Sequence, residues 1–197
     1  MILLDFAAAD DAPALLEVYG PYVRDTSVSF ETSVPSEAEF RRRIGEISAR
    51  FPYLVAREGD AVLGYAYAHP FGERAAYDWT VETSIYLRQD CRGRGVGRML
   101  YTALLELLRR QGVHTAAAVI TVPNEASFSF HEAMGFTCRG IIPDAGYKLG
   151  AWHPVAHFSL ALGPAEPCPR PVRRVWDLTD RERTEILLSA ARFPRKK

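Results

Sequence analysis

Residues 89–100 read QDCRGRGVGRML. Gly93, Gly95 and Gly97 alternate with Arg94 and Val96, and Arg92 and Arg98 flank them. Glycine admits positive φ and lets the backbone come close to a ligand. An apolar series at helical spacing follows, Met99, Leu100, Ala103, Leu104, Leu107 and Leu108, and stops at Gly112. The glycines therefore open a helix, and the N–H groups of a helix N-terminus, with its dipole, form an anion site. With the arginines beside it, the loop suits a phosphate or pyrophosphate. It is not the dinucleotide fingerprint G-x-G-x-x-G, because Arg98 stands where the last glycine would fall, and no Lys follows as in a P-loop. A purely structural turn before a helix is the alternative.

The elements that must position this loop alternate along the chain. ILLDFA at the start reads as a strand, and Asp10 is expected to cap a helix through residues 11–25. TSVSFETSVPS is polar and extended. Ser36, with Glu39 completing a capping box, starts a helix through Phe40, Ile44 and Ile47 to about Arg50. YLVARE and AVLGYAYAHP flank Gly59–Asp60, a hairpin signal. DWTVETSIYLR alternates and is rich in β-formers; HTAAAVITV reads as a buried strand. Asn124 starts a helix through EASFSFHEAM that Gly135 stops, and FTCRGIIP and AWHPVAHFSLAL read as two last strands. The order is β-α-α-β-β-β-α-β-α-β-β, with no internal repeat.

Composition narrows the function classes. The chain has 197 residues, 48% hydrophobic and 24% charged, with net charge +0. That gives no electrostatic case for nucleic acid or a membrane surface. No apolar run is long enough to span a bilayer and MILLDFAAADD does not read as a signal peptide, so the expected location is cytoplasmic. Cys91, Cys138 and Cys168 are scattered and odd in number, unlike a disulfide framework, and Cys91 reads as a packing residue. No metal constellation is expected among the five histidines. Residues 164–197 hold nine of the 24 basic residues against five of the 24 acidic ones. That segment opens on a proline-rich linker, GPAEPCPRPVRRV. Thr179 then caps a short helix, and the chain ends in basic PRKK. It is expected to be a solvated appendage to a domain spanning 1–163.

That element order, with the glycine loop joining the fourth strand to the third helix, resembles the GNAT superfamily of N-acetyltransferases over roughly residues 2–162. RGRGVG resembles its pyrophosphate loop for acetyl-CoA, and NEASFSFHEAMGF its second signature. The segments RDTSVSFETSVPS, FPYLVARE, AYDWTVETSIYL, LYTALLELLRRQG, GYK and WHPVAHF are further similar to phosphinothricin N-acetyltransferases and the related methionine sulfoximine/sulfone acetyltransferases. The resemblance implies an α/β fold: a mixed, mostly antiparallel sheet of about seven strands with four helices, here followed by a C-terminal helical tail.

It also implies acetyl transfer from acetyl-CoA to a primary amine by direct attack, which requires a base to remove an amine proton. Glu82 occupies the place of the family's proposed base. Set among Trp79, Val81, Ile85 and Tyr77, it is expected to be buried, which would raise its pKa; a solvated strand position is the alternative. It shares strand parity with Thr80, Ser84 and Tyr86, a polar face suited to a cleft. His131 stands where many members carry Tyr and is a second acid/base candidate, against a packed histidine bonded to a carbonyl. Backbone around Ile85, Tyr86 and Leu87 is the expected oxyanion site. Arg92, Gly93, Arg94, Gly95, Val96, Gly97 and Arg98 are expected to hold the pyrophosphate, with Asn124 and Ser127 facing the donor from the next strand–helix junction. Arg74 matches a subfamily arginine suited to an acceptor carboxylate; Tyr77, Ser84 and Phe30 complete the expected acceptor contacts. Two departures stand out. Gly72 replaces a lysine that phosphinothricin enzymes can carry two residues before the arginine, which weakens the case for phosphinate. Pro154 stands where Asp is frequent. The resemblance also implies a homodimer through the last strands. The competing readings are an acetyltransferase acting on a protein or peptide N-terminus and a non-catalytic acetyl-CoA-binding module.

Overall fold

A computed structural model describes residues 1–192 of the chain. Seven strands form one sheet: β1 (Ile2–Phe6), β2 (Tyr53–Glu58), β3 (Ala61–Pro70), β4 (Thr80–Leu87), β5 (Thr115–Thr121), β6 (Thr137–Lys148) and β7 (Ala151–Ala161). Their spatial order is β1-β2-β3-β4-β5-β7-β6. All neighbours are antiparallel except β4 and β5. A parallel pair needs a crossover, and here it is α3 (Val96–Gln111), the helix that the glycine loop opens.

Two apolar clusters sandwich the sheet. On one face, α1 (Ala12–Asp25) and α2 (Glu37–Ser48) bury Leu15, Val18, Tyr19, Phe40 and Ile44 against Tyr53, Val55 and Tyr65. On the other, α3 buries Leu100, Leu104, Leu107 and Leu108 against Leu54, Ala66 and Val81, and α4 (Glu125–Ala133) adds Phe128 and Phe130. The element types and their order are those expected from the sequence.

Several local expectations are corrected. Asp10 does not cap α1; it lies in a 3-10 turn at Ala9–Asp11, and Asp11 Oδ2 accepts the Ala8 N–H at 2.9 Å. Ser36 Oγ accepts the Glu39 N–H at 3.2 Å, but the Glu39 carboxylate turns to Arg42 and Arg43 instead of back to Ser36, so the box is half made. Strand β6 continues to Lys148, well beyond Pro143, because a hairpin closes it onto β7 through Leu149 and Gly150, both at positive φ. Pro154 does lie in β7, just before the pairing of Val155 with Thr121 begins, so its missing N–H costs no rung with β5.

The C-terminal segment is not a solvated appendage. Thr179 caps α5 (Asp180–Ala191) reciprocally with Glu182, as expected. Yet Leu178, Ile186 and Ala190 are buried in the same core cluster as α3. The approach to α5 is stitched down by polar contacts. Gln111 Nε2 donates to the carbonyls of Arg50 (2.8 Å) and Arg173 (2.7 Å), Trp176 Nε1 donates to Ser48 O, and Trp79 Nε1 donates to Arg170 O. The basic PRKK end lies outside the described residues.

Candidate active site

The site follows from one feature of the sheet. β4 and β5 pair over only three residues each, Thr80–Glu82 against Thr115–Ala117. β4 then continues to Leu87 and β5 to Thr121, so the strands splay into a wedge with its apex at the Glu82–Ala117 pair. The facing edges of the two strands present backbone N–H and C=O groups that need partners. The Thr83 hydroxyl supplies one, donating to Ala117 O at 2.9 Å. A cleft of about 60 Å³ lies in the opening, lined among others by Thr83, Ser84, Ile85 and Tyr86 of β4, Tyr101 of α3 and Asn124, Ser127 and His131 of the α4 end.

The glycine loop stands at the mouth of the wedge. Gly93 and Gly95 have φ of +76° and +80°, and nothing stands within 4 Å of where a Cβ would be on either. Gly95 is the N-cap of α3 and makes no side-chain cap, so the first N–H groups of the helix have no partner from it. Gly97 answers a different need: a Cβ there would lie 3.2 Å from Leu87 Cδ1, so the strand end packs directly on the helix start. Val96 is buried and offers the site only backbone. Arg94 is otherwise engaged. Its guanidinium pairs with Glu58 at 2.6 Å, which a reading of local sequence cannot see. Arg92 lies by Tyr22, whose hydroxyl donates to Leu87 O at 2.6 Å. Arg98 is exposed.

Glu82 lies at the apex on the α1/α2 face, with a side chain 28% exposed and His69 Nε2 3.9 Å away. The expected burial among Trp79, Val81, Ile85 and Tyr77 is not found. Val81 and Ile85 have the opposite parity, Trp79 is tied to the C-terminal segment, and Tyr77 is exposed against Phe71. The polar face is real: Glu82 and Ser84 stand beside His69 and Tyr67 of β3.

His131 lies on the other face, 3% exposed. Its Nδ1 is 2.8 Å from the Ser127 carbonyl, which makes Nδ1 the protonated nitrogen, and its Nε2 is 3.0 Å from Tyr101 Oη. Tyr101 Oη also lies 3.0 Å from Thr83 Oγ1. Burial lowers the His131 pKa, offset in part by the bond to Ser127, and burial raises the Tyr101 pKa. The ring is therefore neutral near pH 7, with an acceptor at Nε2. Asn124 Oδ1 caps α4 by accepting the Ser127 N–H at 3.2 Å, so its cap and its place in the cleft coexist.

The structure thus gathers Ser84, Ile85, Tyr86, Asn124, Ser127 and His131 around the wedge, with the loop at its mouth and Glu82 at its apex. Leu87 packs on Gly97 instead of lining the cleft. Arg74 and Tyr77 do not line the cleft either; they sit on the exposed β3–β4 connection, beyond the closed end of the wedge. Phe30 is 39% exposed and rests on Gly146 rather than in the cleft. Sequence reading missed Tyr101, Thr83 and Val28. Tyr101 had a signal: a phenol within an otherwise aliphatic helix stripe needs a hydrogen-bond partner. Cys91 is buried with a raised pKa, caused first by desolvation, as befits a packing residue. Among the described residues no group of three metal-ligating side chains occurs. His153 and His157 lie four apart, but on a strand, where that spacing separates them by about 13 Å.

Residues 4–154 match the acetyltransferase (GNAT) domain family. The chain belongs to this family. As an N-acetyltransferase it is 39% identical over 169 residues to the phosphinothricin N-acetyltransferase of Streptomyces viridochromogenes, covering 86% of this chain and 92% of that protein. It is 34% identical to an L-methionine sulfoximine/L-methionine sulfone acetyltransferase of Pseudomonas aeruginosa, covering 83% and 96%. Its fold superposes on a GNAT phosphinothricin acetyltransferase of Sinorhizobium meliloti in complex with acetyl-CoA. The TM-score is 0.81 and the identity 35%, over 87% of this chain and 93% of that one. The family match ends at residue 154, before the C-terminal segment that braces α3.

Proposed function

We propose that this chain moves an acetyl group from acetyl-CoA to the primary amine of a small amino-acid-like acceptor, with phosphinothricin, methionine sulfoximine and methionine sulfone as the leading candidates. The wedge carries this reading. In its support, the glycine loop that opens α3, a strip of strand edge without a ladder partner and the Glu82 carboxylate follow one another along β4, the order of groups that a pyrophosphate, a pantetheine amide chain and a reacting amine require. The relatives' acceptors supply the substrate class.

In this reading Gly93, Gly95, Val96 and Gly97 hold the pyrophosphate through backbone N–H groups, with Arg92 and Arg98 adding charge. Asn124 and Ser127 flank the donor. Glu82 takes one proton from the amine as nitrogen bonds to the acetyl carbon, and backbone N–H groups at Ile85–Leu87 stabilise the oxyanion. The C–S bond then breaks. Tyr101 gives the leaving sulfur a proton, and the proton taken from the amine restores it, so the step balances. His131 orients the Tyr101 hydroxyl.

The reading includes a catalytic unit over 1–163, braced by the C-terminal segment, and a cytoplasmic homodimer. In support, Ile141, Ile142, Tyr147 and Trp152 are exposed on the edge strand β6 and its partner β7, and all three cysteines are free. Thiol release from acetyl-CoA, measured against phosphinothricin, methionine sulfoximine, methionine sulfone and the common amino acids, tests the function. Turnover with one or more is expected. Silence across the panel, with acetyl-CoA bound, removes the amino-acid reading and turns the search to peptide amines.

A further inference from the structure

Lys148 is buried and has no part in the chemistry above. It is 5% exposed at the end of β6, and its ammonium donates to the carbonyl of Ser29 at 2.5 Å. Desolvation lowers its pKa from the usual 10.5, offset by the charge of Glu31. A lysine held this deep needs a purpose for its ammonium. Its partner lies in the irregular segment that follows α1, and Val28, the residue before Ser29, lines the wedge.

A second tie acts on the same segment. The Phe30 ring lies against Gly146 so closely that a Cβ there would stand 2.3 Å from Phe30 Cε2. Gly146 pairs with His153 just after β6 slips its register against β7, so the strand is already irregular where the ring lands. On its inner side Ser29 Oγ meets Tyr19 Oη at 2.6 Å and accepts the Glu31 N–H at 3.2 Å. The segment thus bridges from α1 across the wedge to the β6–β7 hairpin, fixed at both ends.

We propose that Lys148 and Gly146 are specificity-determining residues: they clamp Ser29 and Phe30 to the hairpin, and so hold Val28 as the wall of the wedge against which the acceptor's side chain is selected. This rests on the acyl-acceptor reading of the wedge. Both are positioning residues, acting through the segment they hold and not on the reacting atoms.

Two measurements on the full chain test the clamp. Hydrogen exchange over residues 26–35 should quicken in Lys148→Met and in Gly146→Ala, with α3 and β5 unchanged. Steady-state kinetics should show acceptor KM raised about tenfold in each, with acetyl-CoA KM held within about twofold. A double-mutant cycle adds a contact-specific readout. In a Phe30→Ala background there is no ring for the new methyl to displace, so Gly146→Ala should add nothing further. The clamp is overturned by unchanged exchange over 26–35, by equal losses for acceptor and acetyl-CoA, or by an undiminished Gly146→Ala effect in the Phe30→Ala background. A wild type inactive on every amino acid tried would defeat the acceptor reading instead, and the exchange comparison would still decide whether the segment is clamped.

Discussion

Tyr101 Oη sits 3.0 Å from His131 Nε2 and 3.0 Å from Thr83 Oγ1. The Thr83 proton goes to Ala117 O, and the His131 Nδ1 proton to Ser127 O. Two acceptors therefore face one phenolic proton, and neutral His131 leaves one of them unmet. A proton on Nε2 would complete the chain, with His131 donating to Tyr101 and Tyr101 to Thr83. Tyr101→Phe should accordingly lower kcat, on the order of 10²-fold for loss of a positioned proton donor, with acetyl-CoA KM little changed. The pH–rate profile checks it: an unaltered profile and kcat would make the phenol a packing group.

Stability should depend on His131 in a defined direction. Burial lowers its pKa from the usual 6.5, so below that value the unfolded chain binds more protons than the folded one. Its stabilising contribution is complete above about pH 6.5 and is lost as pH falls toward the depressed folded value. Thermal melts from pH 7.5 to 5.5 should show Tm falling, by about 2–4 °C for each 1 kcal/mol lost. His131→Gln should flatten that slope.

Glu82→Gln should cut turnover at neutral pH by about 10²–10⁴, the usual contribution of a positioned base. Acetyl-CoA binding should survive, because the loop proposed to hold the pyrophosphate lies at the far end of β4. Titration calorimetry with acetyl-CoA, alongside thiol-release kinetics, separates the two. Full activity in the variant would take Glu82 out of the mechanism.

Gly95→Ala should weaken acetyl-CoA binding selectively. At φ of +80° a side chain carries a strain of about 1–2 kcal/mol, and the added methyl would point into space now open beside the helix start. Acetyl-CoA KM should rise at least about tenfold with acceptor KM unchanged. A rise confined to the acceptor would place the pyrophosphate elsewhere.

Leu178→Ala probes the C-terminal brace. Leu178 is 2% exposed in the α3 core, and such a truncation costs about 2–5 kcal/mol. Chemical denaturation should register that loss. An unchanged midpoint would mean that the segment contributes nothing to the domain.

Much of this was legible along the chain because it is local. The helix at 96–111 and the glycine loop before it follow from glycine spacing and a 3.6-residue apolar period, and Thr179 and Asn124 announce their caps by type and position. The failures come from contacts distant in sequence. Arg94 looked like a phosphate ligand until Glu58, 36 residues earlier, was found against it. Glu82 looked buried because its sequence neighbours are apolar, but alternate residues of a strand face opposite ways. The C-terminal segment looked detached because its few apolar residues are spread among charges; they are buried in the core cluster that α3 forms, which no local pattern reveals.

The sequence by itself determined the elements, their order, the glycine loop that opens α3 and the family to which the motifs belong, since each depends on residues within a turn or two of one another. Only the tertiary structure decided how they combine. The parting of β4 from β5 after three paired residues, the meeting of Tyr101, Thr83 and His131, and the seating of Ser29 on Lys148 each join segments far apart in the chain. Such contacts are fixed by packing of the whole sheet and its two helical layers, which balances all side chains at once and leaves no periodic mark on any one stretch.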